Sequence, residues 1–208
     1  VKSPNWINVD KDLEDAVAIA KKIYLEGGVF IYPTDTIYGF GANPFNDNAI
    51  QRINEIKGRA NWKRYILLIS NIEDLRKYVE FNYEKHIDFL ISIWPNPVSF
   101  ILNLNKEMRS IFNAETCAFR IPNNRFCLSL LESLKMPLIS TSVNRTEQDP
   151  INDPQLIKYE FADEVDAIFH TEKKSYFLAS TLIDLTTDEP KLVREGNLKF
   201  AEIMKKYK

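Results

Sequence analysis

Histidine is nearly absent. The 208 residues hold two, His86 and His170, far apart and each among charged or polar neighbours, so a multi-histidine metal centre is excluded. Cysteine is as scarce. Cys117 and Cys127 make neither a disulfide framework nor a zinc-ligand spacing, and the simpler expectation is a reducing, cytoplasmic compartment. Glycine numbers six, five of them between Gly27 and Gly58. Gly39-Phe40-Gly41 has Pro44 where a dinucleotide fingerprint places its third glycine, and no Gly-Lys-Ser/Thr occurs. A nucleotide, if one is handled, is handled without either familiar phosphate loop. No apolar run approaches the ~18 residues of a membrane span, and the N-terminal residues lack the pattern of a secretory leader. Neither sign of charge dominates: 27 Lys and Arg stand against 29 Asp and Glu, a net charge of -2. That balance argues against broad, nonspecific nucleic-acid binding and leaves only a local basic patch for such a role.

What is present is ordinary for a folded chain, with 45% hydrophobic and 27% charged residues. A chain of this length buries about 70% of its unfolded surface, enough to fold without disulfides or metal. There is no internal repeat, low-complexity tract or Pro/Gly/Ser linker, so a single domain over 1–208 is expected. Asp10 is placed as the cap of a helix in which Leu13, Ala16, Val17, Ala20 and Tyr24 repeat at helical spacing, closing at Gly27-Gly28. A second helix starts at Asn46 or Asp47, with Ala49, Ile50, Ile53 and Ile56 on one face. Asn71 caps a third over 72–79. Further helices are expected over 125–134 and 198–207. Strands are expected over 29–32, 65–69, 98–104, 117–121, 137–142, 165–169, 180–185 and 191–194. Interleaved helices and strands give the α/β class with a mixed sheet.

Four places concentrate polar chemistry. Tyr32-Pro33-Thr34-Asp35-Thr36-Ile37-Tyr38-Gly39-Phe40-Gly41 follows a strand and offers hydroxyls and approachable backbone to a small polar ligand. The same groups equally suit bonding to nearby amides. Lys57, Arg59, Lys63 and Arg64 put four cations into eight residues without an acid. If the chain runs extended past Gly58, Lys57 and Arg59 share a side and suit a phosphate or carboxylate; a solvated charge run is the alternative. Trp62 between them suits either a base or a loop anchor. Ser140, Ser142 and Asn144 alternate at a strand end and would face one way at the C-terminal edge of a sheet. Arg120 lies in the apolar run Cys117-Ala118-Phe119-Arg120-Ile121-Pro122, where a buried arginine needs an anion, either a ligand or an internal acid. Arg194 is a weaker case of the same kind.

Together and in this order these segments resemble the YrdC-like family of threonylcarbamoyl-AMP synthases, over about 12–200. The resemblance rests on Pro33-Thr34-Asp35-Thr36-Ile37-Tyr38-Gly39, Lys57-Gly58-Arg59, Phe119-Arg120-Ile121-Pro122, Ser140-Thr141-Ser142-Val143-Asn144, and Ser180-Thr181-Leu182-Ile183-Asp184-Leu185 followed by Leu192-Val193-Arg194-Glu195-Gly196. It implies a twisted mixed-sheet sandwich with helices and a large concave basic face. It also implies condensation of L-threonine, bicarbonate or CO2 and ATP, with pyrophosphate released and Mg2+ carried on the ATP phosphates rather than in a protein metal site. A separate transferase complex would then modify tRNA. Carried over by motif, Lys57, Arg59, Ser142 and Asn144 form the family's catalytic tetrad. Thr36, Arg120 and Ser140 match threonine-side positions, and Arg59, Lys63, Thr116, Ser142 and Arg194 match ATP contacts. The chain departs from the family pattern at Ala60, at Arg64-Tyr65, at Trp94-Pro95-Asn96-Pro97 and at Arg145-Thr146-Glu147-Gln148-Asp149-Pro150. Those departures admit the alternative of a YciO-like protein that binds nucleotide, double-stranded RNA or tRNA without synthase activity.

Overall fold

The computed structural model describes residues 5–58, 65–172 and 178–207. Along the chain stand β1 (Asn5–Asn8), α1 (Leu13–Leu25), β2 (Phe30–Tyr32), β3 (Gly39–Gly41), α2 (Asp47–Lys57) and β4 (Ile66–Leu68). Next come α3 (Ile72–Leu75), α4 (Glu84–Ile93), β5 (Val98–Asn103), α5 (Lys106–Phe112), β6 (Thr116–Arg120), α6 (Arg125–Leu134) and β7 (Leu138–Ser142). The last elements are α7 (Pro154–Phe161), β8 (Ala167–His170), β9 (Thr181–Asp184), β10 (Lys191–Arg194) and α8 (Phe200–Met204).

Short-range chemistry sets most boundaries. Asn46 caps α2 by accepting from Ala49 N at 3.0 Å, and Gly58 closes it at φ 65, in the left-handed region. Asp12, not Asp10, caps α1, accepting from Asp15 N at 2.9 Å. The Asp10 carboxylate is drawn away instead, accepting from Thr171 Oγ1 at 2.6 Å and Glu172 N at 3.1 Å. The helix after Asn71 stops at Leu75 rather than 79, because the next turn tightens into bonds such as Tyr78 N to Leu75 O. Likewise α8 is shorter than 198–207. On α6 the buried side chains Phe126, Cys127, Leu130, Leu131 and Leu134 form one stripe, each large apolar one contributing roughly 1.5–3 kcal/mol. β1, β3, α4, α5 and α7 had no sequence expectation.

The described strands form one mixed ten-stranded sheet in the order β1-β8-β2-β3-β7-β4-β6-β5-β9-β10. Alternation along the strands splits the sheet's side chains between two faces. One face carries Ile31, Phe40, Leu67, Phe100, Phe119, Ile139 and Ile183 into a core shared with α2, α4 and α7. The other carries Phe30, Tyr32, Leu68, Leu138 and Phe169 beneath α1 and α6. Farther along that second face, toward β5 and β9, lies an open cavity.

Candidate functional site

The cavity has a volume of about 280 Å³. Ile66 pairs with both Ser140 and Ala118, and Ala118 pairs in turn with Ile101, so these positions project from one face. Ile66, Ile101, Ala118 and Leu182 give the cavity an apolar floor; Thr36, Ser140, Ser142 and the guanidiniums of Arg120 and Arg194 line it with polar groups. The polar residues therefore meet on the face of the sheet, not at its C-terminal edge, because helical cover on that face ends with α6.

Arg120 is the last residue of β6 and its side chain is 3% exposed. Its Nη1 donates to Asp35 Oδ1 at 2.8 Å, while Asp35 Oδ2 accepts from Asn123 N at 3.1 Å. Of the two partners open to Arg120 in the sequence, the internal acid is present. Its Nε, however, is buried with no hydrogen-bond partner, so the guanidinium's donor capacity is not exhausted by Asp35. Arg194 reaches the same cavity through a bulge: β10 slips register between Leu192 and Arg194, bringing Arg194 opposite Leu182, on the cavity face. Its Nη2 donates to Ser180 O at 3.0 Å. Desolvation and then the Arg120 charge push its pKa below the ordinary value. Two like charges facing one cavity favour an anion there.

The hydroxyl-rich loop does both things open to it. Thr34 and Thr36 bond each other through their hydroxyls at 2.9 Å, Thr34 bonds Ile37 O at 2.8 Å, and Thr36 still lines the cavity. Ser140 and Ser142 also line it, but Asn144 does not face with them; it lies beyond β7, turned toward Lys57. Lys57 is wholly buried, so its ammonium is not part of a solvated charge run, and the side taken by Arg59 lies outside the described residues. Lys57 Nζ donates to Ser142 O at 2.5 Å, Asn144 O at 2.8 Å and Asn144 Oδ1 at 2.9 Å. Thr116 opens β6 on the cavity's face but is not among the residues lining the cavity. Arg59, Lys63, Trp62 and Arg64 lie outside the described residues.

Sequence spacing missed two participants. In the sequence Asp35 is only a loop carboxylate; the fold makes it the holder of Arg120. Arg145, part of the segment that departs from the family pattern, bonds Ile56 O through its guanidinium and takes both oxygens of Glu164, at 3.0 and 2.5 Å. Neither partnership leaves a local sequence signal. Both cysteines are free thiols, with Cys127 buried. Among the described residues no group of three or more His, Cys, Asp or Glu is placed to hold a metal ion. None of their helices is long and apolar enough to cross a membrane.

The family model for Sua5, YciO and YrdC, described as "Telomere recombination", matches residues 22–196. Threonylcarbamoyl-AMP synthase of Pyrococcus abyssi (strain GE5 / Orsay) is 29% identical over 202 residues, covering 96% of this chain and 59% of that protein. The chain thus spans about three-fifths of that curated relative's length. P. abyssi Sua5 complexed with L-threonine has a TM-score of 0.88 at 26% identity, with 99% of this chain and 61% of that chain covered. E. coli YciO has a TM-score of 0.85 at 29% identity, with 100% of both chains covered. Matched by that family model along most of its length and folded on the same plan as two solved members, the chain belongs to the Sua5/YciO/YrdC family.

Proposed function

We propose that the chain makes L-threonylcarbamoyl-AMP from L-threonine, bicarbonate or CO2 and ATP, releasing pyrophosphate. The observation that supports this most is the convergence of Arg120 and Arg194 with the hydroxyls of Thr36, Ser140 and Ser142 on one cavity. The reaction brings several anions together: a carboxylate, a carbamate and a triphosphate. Fixed cations and neutral donors are what such a step needs, and no side-chain nucleophile or acid–base histidine is required. Similarity to a threonylcarbamoyl-AMP synthase, and to a Sua5 whose structure was determined with L-threonine, points the same way.

In this scheme Arg120, with Thr36 and Ser140, takes threonine, and the guanidinium fork receives the amino acid's carboxylate. Arg194, Ser142 and Thr116, with Arg59 and Lys63, take ATP. Turnover depends on the group Lys57, Arg59, Ser142 and Asn144. Threonine's amine captures CO2 as a carbamate, a carbamate oxygen attacks the α-phosphorus, and pyrophosphate leaves. Mg2+ would enter on the ATP phosphates and offset their charge. The product would pass to a separate transferase complex acting on tRNA.

The test is incubation with ATP, threonine and bicarbonate, each omitted in turn, with pyrophosphate measured. Release that requires all three is expected. ATP binding without threonine-dependent pyrophosphate would refute the proposal and leave a YciO-like nucleotide binder, and salt-sensitive binding of double-stranded RNA or tRNA in its place would leave an RNA-binding module.

A further inference from the structure

An ammonium carries three N–H donors and no acceptor. Lys57 ends α2 wholly buried, and its donors meet Ser142 O, Asn144 O and Asn144 Oδ1 at 2.5, 2.8 and 2.9 Å. A phosphate oxygen would have to displace one of these. The main chain of the same helix end is held too. Thr146 donates to Lys57 O from its backbone N–H and from its hydroxyl, each at 2.8 Å. One residue earlier, Ile56 O accepts from Arg145, which Glu164 grips with both carboxylate oxygens. The Ser142 hydroxyl donates to the same Asn144 Oδ1 at 2.5 Å. The end of α2 and the segment 142–146 are therefore one fastened unit, and Ser142 is where that unit meets the cavity.

We infer that Lys57 is a positioning residue: its ammonium fixes Asn144 and the Ser142 main chain, and so aims Ser142 into the cavity, without touching the nucleotide. Asn144 belongs to the same unit, and Arg145 anchors it to Glu164, just past α7, and to Glu160 within it at 3.3 Å. As a statement about turnover, this rests on the synthase proposal above.

The test compares wild type, Lys57→Met, Asn144→Ala and the double variant. ATP and adenosine are titrated calorimetrically into each at two salt concentrations, and pyrophosphate release is followed per folded molecule. ATP affinity should fall by no more than about 3-fold, the worth of one misaimed Ser142 hydroxyl, with its salt dependence unchanged, since no charged phosphate contact is removed. Turnover should fall at least ~10²-fold in each single variant and no further in the double, because both substitutions break one unit. A loss of ATP affinity of about 10-fold or more, with adenosine affinity kept, would put the ammonium on the phosphates and overturn the inference. Losses that multiply in the double variant would overturn it as well, as would lower thermal stability with unchanged turnover. If Lys57→Met does not fold, a crystal structure of the wild type with threonine and a non-hydrolysable ATP analogue decides. Nζ still held by Ser142 and Asn144 oxygens supports the inference; Nζ on a phosphate oxygen overturns it. A wild type that binds ATP yet releases no pyrophosphate ends the synthase proposal, while the titrations and the crystal structure still decide where the Lys57 ammonium goes.

Discussion

Asp35→Ala removes the one acid that the Arg120 guanidinium holds. The pair is 2.8 Å apart with side chains 3% and 6% exposed, so the substitution leaves a buried cation whose Nε already has no hydrogen-bond partner. Breaking one half of a buried pair costs roughly 3–5 kcal/mol. Asn123 N also loses its acceptor, adding about 1 kcal/mol. Total stability for a domain is about 5–15 kcal/mol, so the loss takes about a quarter of it or more. With a urea slope of about 2–3 kcal/mol/M, a cost of ~4 kcal/mol moves the unfolding midpoint down by roughly 1.3–2 M. Urea titrations followed by tryptophan fluorescence and circular dichroism measure this directly. Arg120→Met should cost a similar amount by stranding the carboxylate, while the double variant should recover most of it, because an apolar replacement of a whole buried pair is often neutral. Under the proposed function the recovered double variant should still fail to bind threonine. A midpoint shift below about 0.3 M in Asp35→Ala, or a double variant as unstable as the two singles added together, would refute the assignment of a desolvated, mutually dependent pair.

Gly196→Ala should be costly, because a Cβ there would overlap Ala179 O and stand 2.5 Å from Ser180 C and 2.6 Å from Ser180 O. Backbone cannot swing aside as a side chain can, so a loss of about 1–3 kcal/mol is expected, with weaker anion binding as Arg194 loses its place on Ser180; an unchanged melting temperature would contradict this. Burial pushes the Cys127 thiol well above its ordinary pKa, so at mildly alkaline pH only Cys117 should react with a thiol reagent until the chain unfolds, and rapid labelling of both would contradict it. Desolvation, the largest cause, holds His170 below its ordinary pKa. The unfolded chain then takes up the proton first, so stability should decline as pH falls through about 6.5 and below. His170→Phe keeps the stack on Trp6, whose ring centroid lies 4.1 Å away, and should flatten that slope in urea titrations across the range; an unaltered slope would rule His170 out as its source.

Elements bounded by their own neighbours were legible. Asn46 reaches Ala49 N only three residues on, and the 125–134 stripe became α6 without a change of bounds. Elements made by distant partners were not. β3 is Gly39-Phe40-Gly41, a stretch with too few side chains to show alternation, and it is a strand because β2 and β7 pair with it. α4 begins after Tyr83 with no side-chain cap bond, so nothing local announced it. At the candidate site, Thr36, Arg120, Ser140, Ser142 and Arg194 line one cavity. Orientation was the missing quantity. Spacing could not show that Lys57 turns inward, that a bulge brings Arg194 opposite Leu182, or that Asp35 lies against Arg120 across a separation of 85 residues.

Helical cover over one face of the sheet stops partway across it, and the border between scaffold and chemistry therefore runs through individual strands. In β7, Leu138 is sealed beneath α6 while Ser140 and Ser142, at the next two positions of the same parity, look into the cavity. In β4 the change takes a single step, from Leu68 under the helices to Ile66 in the cavity floor. Tolerance to substitution should accordingly switch between residues two apart rather than fade from one element to the next. A lineage carrying this fold can retune what it binds by exchanging one strand side chain, without lengthening a loop and without disturbing the packing a few ångströms away.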